Sequence, residues 1–256
     1  MQSGDERLRE ARGWYESAYE WRLVSYAMHA HARLDARDAR KLLYYIPAVD
    51  RAPTTGVGKA ELDEMRAEPN ISKTRKLLGL LPVFVGMKMV LEETVLPPEC
   101  VRGCRCKVVG IELHPREPAI EGRYSIGTEG CVVLEYMPKC VYVRVAGSND
   151  EFLRARTDFD VKGVLAIVPK SRSWQFKSPK RQAPIQVTRT QITLLPQKQC
   201  TLHGVQGKTA TPGFIVHWRY PARLSSESKW LAHYVSLSAT KSATAAQPWS
   251  AGQRHH

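Results

Sequence analysis

The chain has 256 residues, of which 38 are Lys or Arg and 25 are Asp or Glu, for a formal net charge of +13. Residues 1–160 hold 24 basic and 24 acidic side chains, so the whole excess lies in residues 161–256, where Glu227 is the one acid. A hydrophobic content of 43% argues against wholesale disorder, and no run of about 18 apolar residues predicts a membrane span. A basic terminal third favours a polyanionic partner, most often nucleic acid.

The N-terminal sequence, MQSGDERLRE, is charged and lacks the apolar region of a secretory signal. This predicts an intracellular protein, with the nucleus or an organelle left open, and disfavours a disulfide framework. Cys100, Cys104 and Cys106 form a C-x3-C-x-C pattern that differs from the usual zinc knuckle, and no paired histidines follow it. We therefore expect reduced cysteines in the core or in loops, and we assign no metal ligand.

The first elements in chain order are predicted to be helical. Residues 5–45 are rich in Ala, Arg, Glu and Leu, and large apolar residues recur at near-helical spacing: Trp14, Trp21, Val24 and Met28. Residues 47–59 form a turn-rich linker. Residues 60–80 predict one or two short helices interrupted at Pro69. Residues 1–80 are thus a helical segment with a linker.

From Leu81 the pattern changes to short β-rich runs separated by proline, glycine and charged residues. These runs are VFVGMKMVL, CKVVGIEL, CVVLEY, CVYVRV and GVLAIV. Their spacing predicts a small antiparallel sheet or barrel over residues 83–170.

The last third begins with a basic loop at residues 170–184 and continues with a strand or hairpin over residues 185–196. A further strand is predicted at residues 214–218. Residues 227–238 predict a short helix that runs into a strand, YVSLS, and residues 241–256 predict a flexible tail.

The sequence offers little support for autonomous catalysis. A phosphate-binding loop needs G-x-x-x-x-G-K-[ST], because its glycines let backbone N–H groups surround the phosphates and its hydroxyl holds magnesium. The nearest match, PTTGVGKA, has Pro53 in place of the first glycine and Ala60 in place of the hydroxyl. No paired acidic motif of the Walker B kind follows an apolar strand, and there is no G-x-S-x-G motif. We assign this match to the linker and name no catalytic residue.

The most informative segment, Gln199 to Thr209, reads QCTLHGVQGKT and follows an apolar run that ends at Pro196. It resembles the T-x-H-x-x-Q-G block of superfamily 1 DNA helicases, in the branch that contains the PIF and RecD helicases. Other stretches resemble further blocks of that family in the same order: residues 81–95, 103–111, 184–196 and 234–238. The resemblance covers about residues 80–240.

The resemblance implies an α/β fold, in which a partial RecA-like domain, the second of the motor, carries a small antiparallel β-barrel of SH3-like type as an insertion. The helical segment of residues 1–80 would precede it. The insertion would occupy residues 81–170, and the basic loop with the remainder of the RecA-like domain would occupy residues 171–240.

The resemblance also implies roles for individual residues. Thr201 and His203 would contact the backbone of single-stranded DNA, while Gln206 and Gly207 would face ATP and couple it to the strand. Taken alone, His203 would more often be a histidine held by backbone groups at a helix N-terminus. The sequence departs from the family at Ala239, where an arginine usually reaches the γ-phosphate.

The first RecA-like domain, which carries the phosphate loop and the magnesium-binding acids, has no counterpart here, because residues 1–80 are too few for a domain of ~150 residues. We therefore expect ATP and Mg²⁺ only in a full-length enzyme and neither of them on this chain alone. The partners implied are single-stranded DNA and the missing N-terminal RecA-like domain, with no membrane.

The acid-free stretch of residues 161–226 supplies the remaining predicted nucleic-acid contacts: Arg172, Trp174, Lys177, Lys180, Arg181 and Arg189. Basic side chains release counterions from phosphates, and aromatic side chains stack on bases for about 1–3 kcal/mol each. No recognition helix is evident, so single-strand binding is favoured over groove reading. The alternative is a solvated basic face with Trp174 inside the barrel.

Three functions remain open from the sequence. The chain is the C-terminal portion of an ATP-dependent DNA helicase, or a non-catalytic nucleic-acid-binding remnant of one, or a basic scaffold for a protein partner. The intact block from Thr201 to Gly207 favours the first, and Ala239 favours the second.

Overall fold

The computed structural model describes residues 15–18, 21–52, 57–121, 130–146, 163–178, 183–197, 199–201, 214–217, 220 and 222–238. The chain folds as two compact units, the first formed by Met1–His31 with Lys198–His256 and the second by Ala32–Gln197. The first unit therefore combines the two ends of the chain, whereas the segments predicted from the sequence follow one another along it.

The helices and strands that the structure describes are, in chain order, β1 (Tyr15–Ala18), α1 (Trp21–Asp38), β2 (Leu43–Pro47), β3 (Val49–Arg51), α2 (Lys59–Arg66), β4 (Leu80–Val83), β5 (Lys88–Leu91), β6 (Arg105–Glu112), β7 (Cys131–Val133), β8 (Cys140–Val145), β9 (Val164–Ile167), β10 (Pro169–Phe176), β11 (Ile185–Ile192), β12 (Leu194–Pro196), β13 (Gln199–Thr201), β14 (Phe214–His217) and α3 (Ser226–Ser238). None of these helices combines the length and the apolar character that a bilayer crossing requires. The mixed α/β class predicted from the sequence is confirmed at this level.

Helix α1 forms where alanine, leucine and arginine dominate and glycine and proline are absent. Its buried side chains follow helical spacing: Val24, Ala27, Met28, His31 and Ala32. The helix is shorter than the predicted span of residues 5–45, because strands β1 and β2 flank it. Beyond its last turn Arg40 adopts a left-handed conformation, with φ of 51°.

The first unit contains a small parallel sheet with the strand order β13-β1-β14. The central strand β1 is parallel to both neighbours, and its Ser17 is level with Cys200 on one side and Val216 on the other. Parallel pairing is typical of α/β folds, since each pair of strands needs a crossover connection.

Helix α3 differs from the prediction that Tyr234–Ser238 forms a strand. Its buried residues are Ala232, Val235 and Ser236, which follow helical and not alternating spacing. The helix starts with the Ser225 hydroxyl accepting a hydrogen bond from the Ser228 N–H at 3.2 Å.

The described residues of the second unit form three sheets. The largest is antiparallel, with the order β12-β5-β6-β8-β9. A second antiparallel sheet has the order β10-β11-β3, and the third has the order β4-β2-β7, in which β2 is antiparallel to β4 and parallel to β7.

The predicted barrel over residues 83–170 is not closed in the described part of the chain. One of its expected strands, β7, pairs instead with β2, which comes from the predicted helical segment. The other neighbour of β2 is β4, which ends at Val83, where the predicted range begins. One edge of the five-stranded sheet is β12, which comes from beyond residue 170. The sheet pairing therefore crosses the predicted boundaries, because strand partners are chosen over long sequence separations.

Candidate nucleic-acid interface

The T-x-H-x-x-Q-G block begins at the carboxyl end of a strand in the parallel sheet. Strand β13 ends at Thr201, which is level with Ala18 at the end of β1, and Ala18 is level with His217 at the end of β14. The carboxyl ends of all three strands thus meet at one edge of the sheet. In open α/β sheets this edge is the usual place for ligands.

Most of the block itself lies outside the described residues. The residues outside the described ranges include His203, Gln206, Gly207 and, beyond the block, Ala239. The contacts predicted for the block with single-stranded DNA and with ATP therefore stay predictions. Lys180 and Arg181, from the basic loop, also lie outside the described residues.

The other predicted contacts lie on or beside the two-stranded ribbon of β10 and β11. Trp174 is not available to a base, because it is only 3% exposed. It packs in a small core with Phe176, whose ring is edge-on to it at 5.8 Å, and with Met65 of α2. This corrects the prediction of a stacking residue: the alternation along β10 places Trp174 and Phe176 on the buried face.

Arg189 is also buried, against the prediction that it contacts nucleic acid. Its side chain is 0% exposed and forms a two-pronged ion pair with Asp50, in which Nε and Nη2 each lie 2.8 Å from a carboxylate oxygen. The guanidinium also donates to the carbonyls of Leu77 and Met65, and it lies over the ring of Trp174 at 5.1 Å. Its charge is therefore compensated inside the fold and not presented at the surface.

Arg172 and Lys177 remain accessible. Lys177 is exposed at the end of β10. The side chain of Arg172 is half-buried, donates from Nη1 to the carbonyl of Arg75 at 2.6 Å, and lies with Nη2 3.6 Å from a carboxylate oxygen of Glu93. Lys170 reaches the other oxygen of Glu93 at 3.8 Å. Lys170 and Arg172 thus lie together near the start of β10, whereas Lys177 lies beyond its other end.

Three further basic residues lie beside Arg172 and were not singled out from the sequence. Arg75, Lys76 and Arg102 line a pocket of about 510 Å³ together with Arg172 and two serines. They come from the charge-neutral first 160 residues, so the counting of net charge along the chain could not reveal them. Only the folding of β10 against two distant loops brings these charges together.

Cys100 and Cys106 are buried thiols. Burial raises the pKa of Cys106 to about 12 and that of Cys100 to about 11, so both thiols are protonated at neutral pH. Within the described ranges, no three side chains of His, Cys, Asp or Glu are grouped so as to hold a metal ion.

The PTTGVGKA match does not have the surroundings of a phosphate loop. Such a loop joins a strand to a helix across the edge of a parallel sheet. Here the preceding strand, β3, is antiparallel to β11. Helix α2 does begin at Lys59, after Gly58. The residues of this match therefore do not fit ATP with Mg²⁺.

The sequence matches no protein-family model and no curated protein. Among solved structures, the chain is similar to Pif1 helicase from Candida albicans, with a TM-score of 0.47 and 12% identity over 89% of this chain and 43% of that one. It is also similar to Bacteroides Pif1 bound to ssDNA, with a TM-score of 0.44 and 12% identity over 91% of this chain and 39% of that one. For unliganded Pif1 from Bacteroides sp the TM-score is 0.41, at 11% identity over 91% and 50%. The chain thus spans half or less of the length of these proteins, and the likeness is a loose one.

Proposed function

We propose that this chain is the C-terminal portion of an ATP-dependent DNA helicase and contributes single-stranded DNA binding to it. The observation that carries the proposal is the position of Thr201. The helicase-like block starts there, at the edge of a parallel sheet where the carboxyl ends of three strands meet. A segment that leaves this edge is well placed to hold a ligand.

The charge of the chain supports the same function. All of the +13 excess lies in residues 161–256, the part that contains the block. Basic side chains gain affinity for any phosphate backbone by releasing its counterions, without reading the bases. A motor that moves along a strand needs this kind of contact, which does not depend on sequence.

Hydrolysis of ATP, with Mg²⁺ bound to its phosphates, would supply the free energy for movement in the full-length enzyme. The residues of this chain do not fit them alone, because Pro53 and Ala60 replace the glycine and the hydroxyl of a phosphate loop. We therefore assign the nucleotide cradle to a further RecA-like domain and limit this chain to Gln206 and Gly207, which would couple the strand to that cradle.

A second candidate function is favoured by Ala239. The family places an arginine here, and an arginine of this kind stabilises the charge on the transferred phosphoryl group. With alanine in this place, the chain would be a nucleic-acid-binding module that descends from a helicase and does not drive hydrolysis.

One experiment separates these two functions. The chain is joined to the RecA-like domain encoded upstream at its own locus, and ATP hydrolysis is measured with and without single-stranded DNA. Stimulation by DNA in the unmodified fusion supports the helicase. No stimulation, together with its appearance in Ala239→Arg, would support the non-catalytic module.

A binding experiment tests the contribution of the block directly. Fluorescence anisotropy of a labelled oligo(dT) is measured with the chain at two salt concentrations, for the unmodified protein and for Thr201→Ala and His203→Ala. We expect salt-dependent binding that both substitutions weaken, while the control His114→Ala, in the loop after β6, leaves it unchanged. Absence of salt-dependent binding by the unmodified chain would contradict the proposal and favour the basic scaffold.

A further inference from the structure

The pocket beside Arg172, in the second unit, brings several basic side chains together around one cavity. We name it the Arg75 pocket, and its lining is Ser72, Arg75, Lys76, Arg102, Arg172 and Ser173. Four of these six side chains are cations, two are hydroxyl donors, and none is an acid. Its volume of about 510 Å³ lies within the range of ~300–1,000 Å³ found for ligand sites.

The loop that supplies Arg75 and Lys76 is held in a fixed shape. Both residues are left-handed, with φ of 53° and 67°, a conformation that L side chains rarely adopt. The buried Thr74 donates its hydroxyl hydrogen to the carbonyl of Leu77 at 2.7 Å, and the Lys76 N–H donates to the carbonyl of Ile71 at 2.6 Å. These bonds hold the two basic residues in place before a ligand arrives.

The opposite side of the pocket is also ordered before binding. Arg172 reaches across from β10 to the Arg75 carbonyl at 2.6 Å, which ties the ribbon to the loop. Arg102, in the turn between β5 and β6, lies with Nε 3.3 Å from Glu92, and its backbone N–H donates to the Thr94 hydroxyl at 3.2 Å. Three separate parts of the chain therefore converge on one cavity.

The carboxylates that pair with two of these cations lie outside the lining of the pocket. Arg172 is paired with Glu93 and Arg102 with Glu92, and neither carboxylate lines the cavity. The lining itself therefore presents four cations and no acid. A site with excess positive charge, fork-shaped guanidinium donors and hydroxyl donors suits an oxyanion with several acceptor oxygens. A phosphate group has this chemistry.

We infer that the Arg75 pocket binds a phosphodiester group of a single-stranded nucleic acid, as a second contact with that nucleic acid besides the block that starts at Thr201. This inference rests on the proposed function and adds a further binding site to it. The lining contains no aromatic ring and no acid. It therefore offers no aromatic face to a base and no carboxylate to a nucleotide's magnesium, which favours recognition of the backbone over the base or a free nucleotide.

The test uses the whole chain and a fluorescein-labelled oligo(dT). The pocket variant is the double substitution Arg75→Gln with Lys76→Gln. Its matched control is Arg66→Gln with Lys73→Gln, which removes two nearby exposed cations that do not line the pocket. We expect the pocket variant to bind about tenfold more weakly at moderate salt. We also expect the slope of log K against log salt to become shallower by about 0.7, the contribution of one phosphate on a single strand.

Each outcome decides the inference. If the unmodified chain binds oligo(dT) and the pocket variant behaves like its control, the inference is wrong while the proposed function stands. If the unmodified chain does not bind oligo(dT), both fail. Titration with inorganic pyrophosphate separates the other source of the same chemistry: heat of binding that the pocket variant loses, with oligo(dT) affinity unchanged, would assign the pocket to free phosphate and overturn the inference.

A second variant guards against misfolding of the loop. Arg102→Gln changes a different turn, where the side chain is 61% exposed. We expect it to weaken oligo(dT) binding in the same direction and to keep the melting temperature of the unmodified chain. Unchanged oligo(dT) binding in this variant would count against the pocket.

Discussion

Replacing Arg189 by methionine should destabilise the second unit strongly, although the same residue was predicted from the sequence to contact DNA. The substitution keeps a long unbranched side chain but removes the guanidinium. Asp50, whose side chain is 4% exposed, would then be an uncompensated buried carboxylate. The carbonyls of Leu77 and Met65 would lose a donor as well.

The magnitude follows from the burial of both partners. Removing one member of a buried ion pair costs about 3–5 kcal/mol, because the remaining charge keeps its desolvation penalty and loses its attraction. A whole domain is stable by only about 5–15 kcal/mol. Arg189→Met should therefore remove a large part of the free energy of unfolding.

The assay is urea unfolding followed by circular dichroism, with hydrogen exchange of the β11 amides to locate the change. The matched control is Lys177→Met, an exposed basic residue just past the end of β10, whose replacement should change stability by less than about 0.5 kcal/mol. Adding Asp50→Leu to Arg189→Met should restore at least ~1 kcal/mol, since no unpaired carboxylate remains. An unfolding midpoint for Arg189→Met equal to that of Lys177→Met would refute this reasoning.

Three further predictions concern other parts of the chain. Replacing Lys180 and Arg181 by alanine should weaken the binding of single-stranded oligonucleotides of any base sequence and lower its salt dependence. Unchanged affinities in anisotropy titrations would show that the basic loop does not contact the DNA. Gly79→Ala should cost about 1–3 kcal/mol or more in thermal unfolding, because its Cβ would lie 1.7 Å from the backbone carbonyl oxygen of the last residue of α2; a melting temperature equal to that of the unmodified chain would contradict the close approach. Cys100 and Cys106 should resist alkylation by iodoacetamide in the folded chain and react in urea, and the fold should lose stability as the pH rises above the ordinary thiol pKa, since burial favours the protonated thiol. Mass spectrometry after a short pulse of reagent checks this, and equal labelling in both states would argue against the burial.

The α/β class and most element positions could be predicted from local sequence. Helix α2 at Lys59–Arg66 and the β-rich runs after residue 80 were predicted from composition and alternation alone. The end of α3 was predicted as a strand, because YVSLS has the apolar alternation of one. Its burial against the rest of the unit at helical spacing decided otherwise.

Strand pairing could not be predicted in the same way. The predicted barrel assumed that neighbouring strands between residues 83 and 170 pair with one another. In the structure β7 pairs with β2 instead, and β12 joins the five-stranded sheet from beyond that range. Each of these pairings depends on how side chains pack between strands that are far apart in the sequence. A local sequence pattern contains no information on that packing.

The excess positive charge and the order of the helicase-like blocks were determined by the sequence alone, since both depend only on which residues occur and in what order. The tertiary structure decided which of the charges are available. In the structure Arg189 is buried against Asp50, and Trp174 lies in the core. Both side chains lie on the face of β10 and β11 that is covered by α2. The tertiary structure also brought Arg75, Lys76 and Arg102 next to Arg172, residues that sequence counting places in a neutral region. Charge is a property of the residue, whereas access to that charge belongs to the fold.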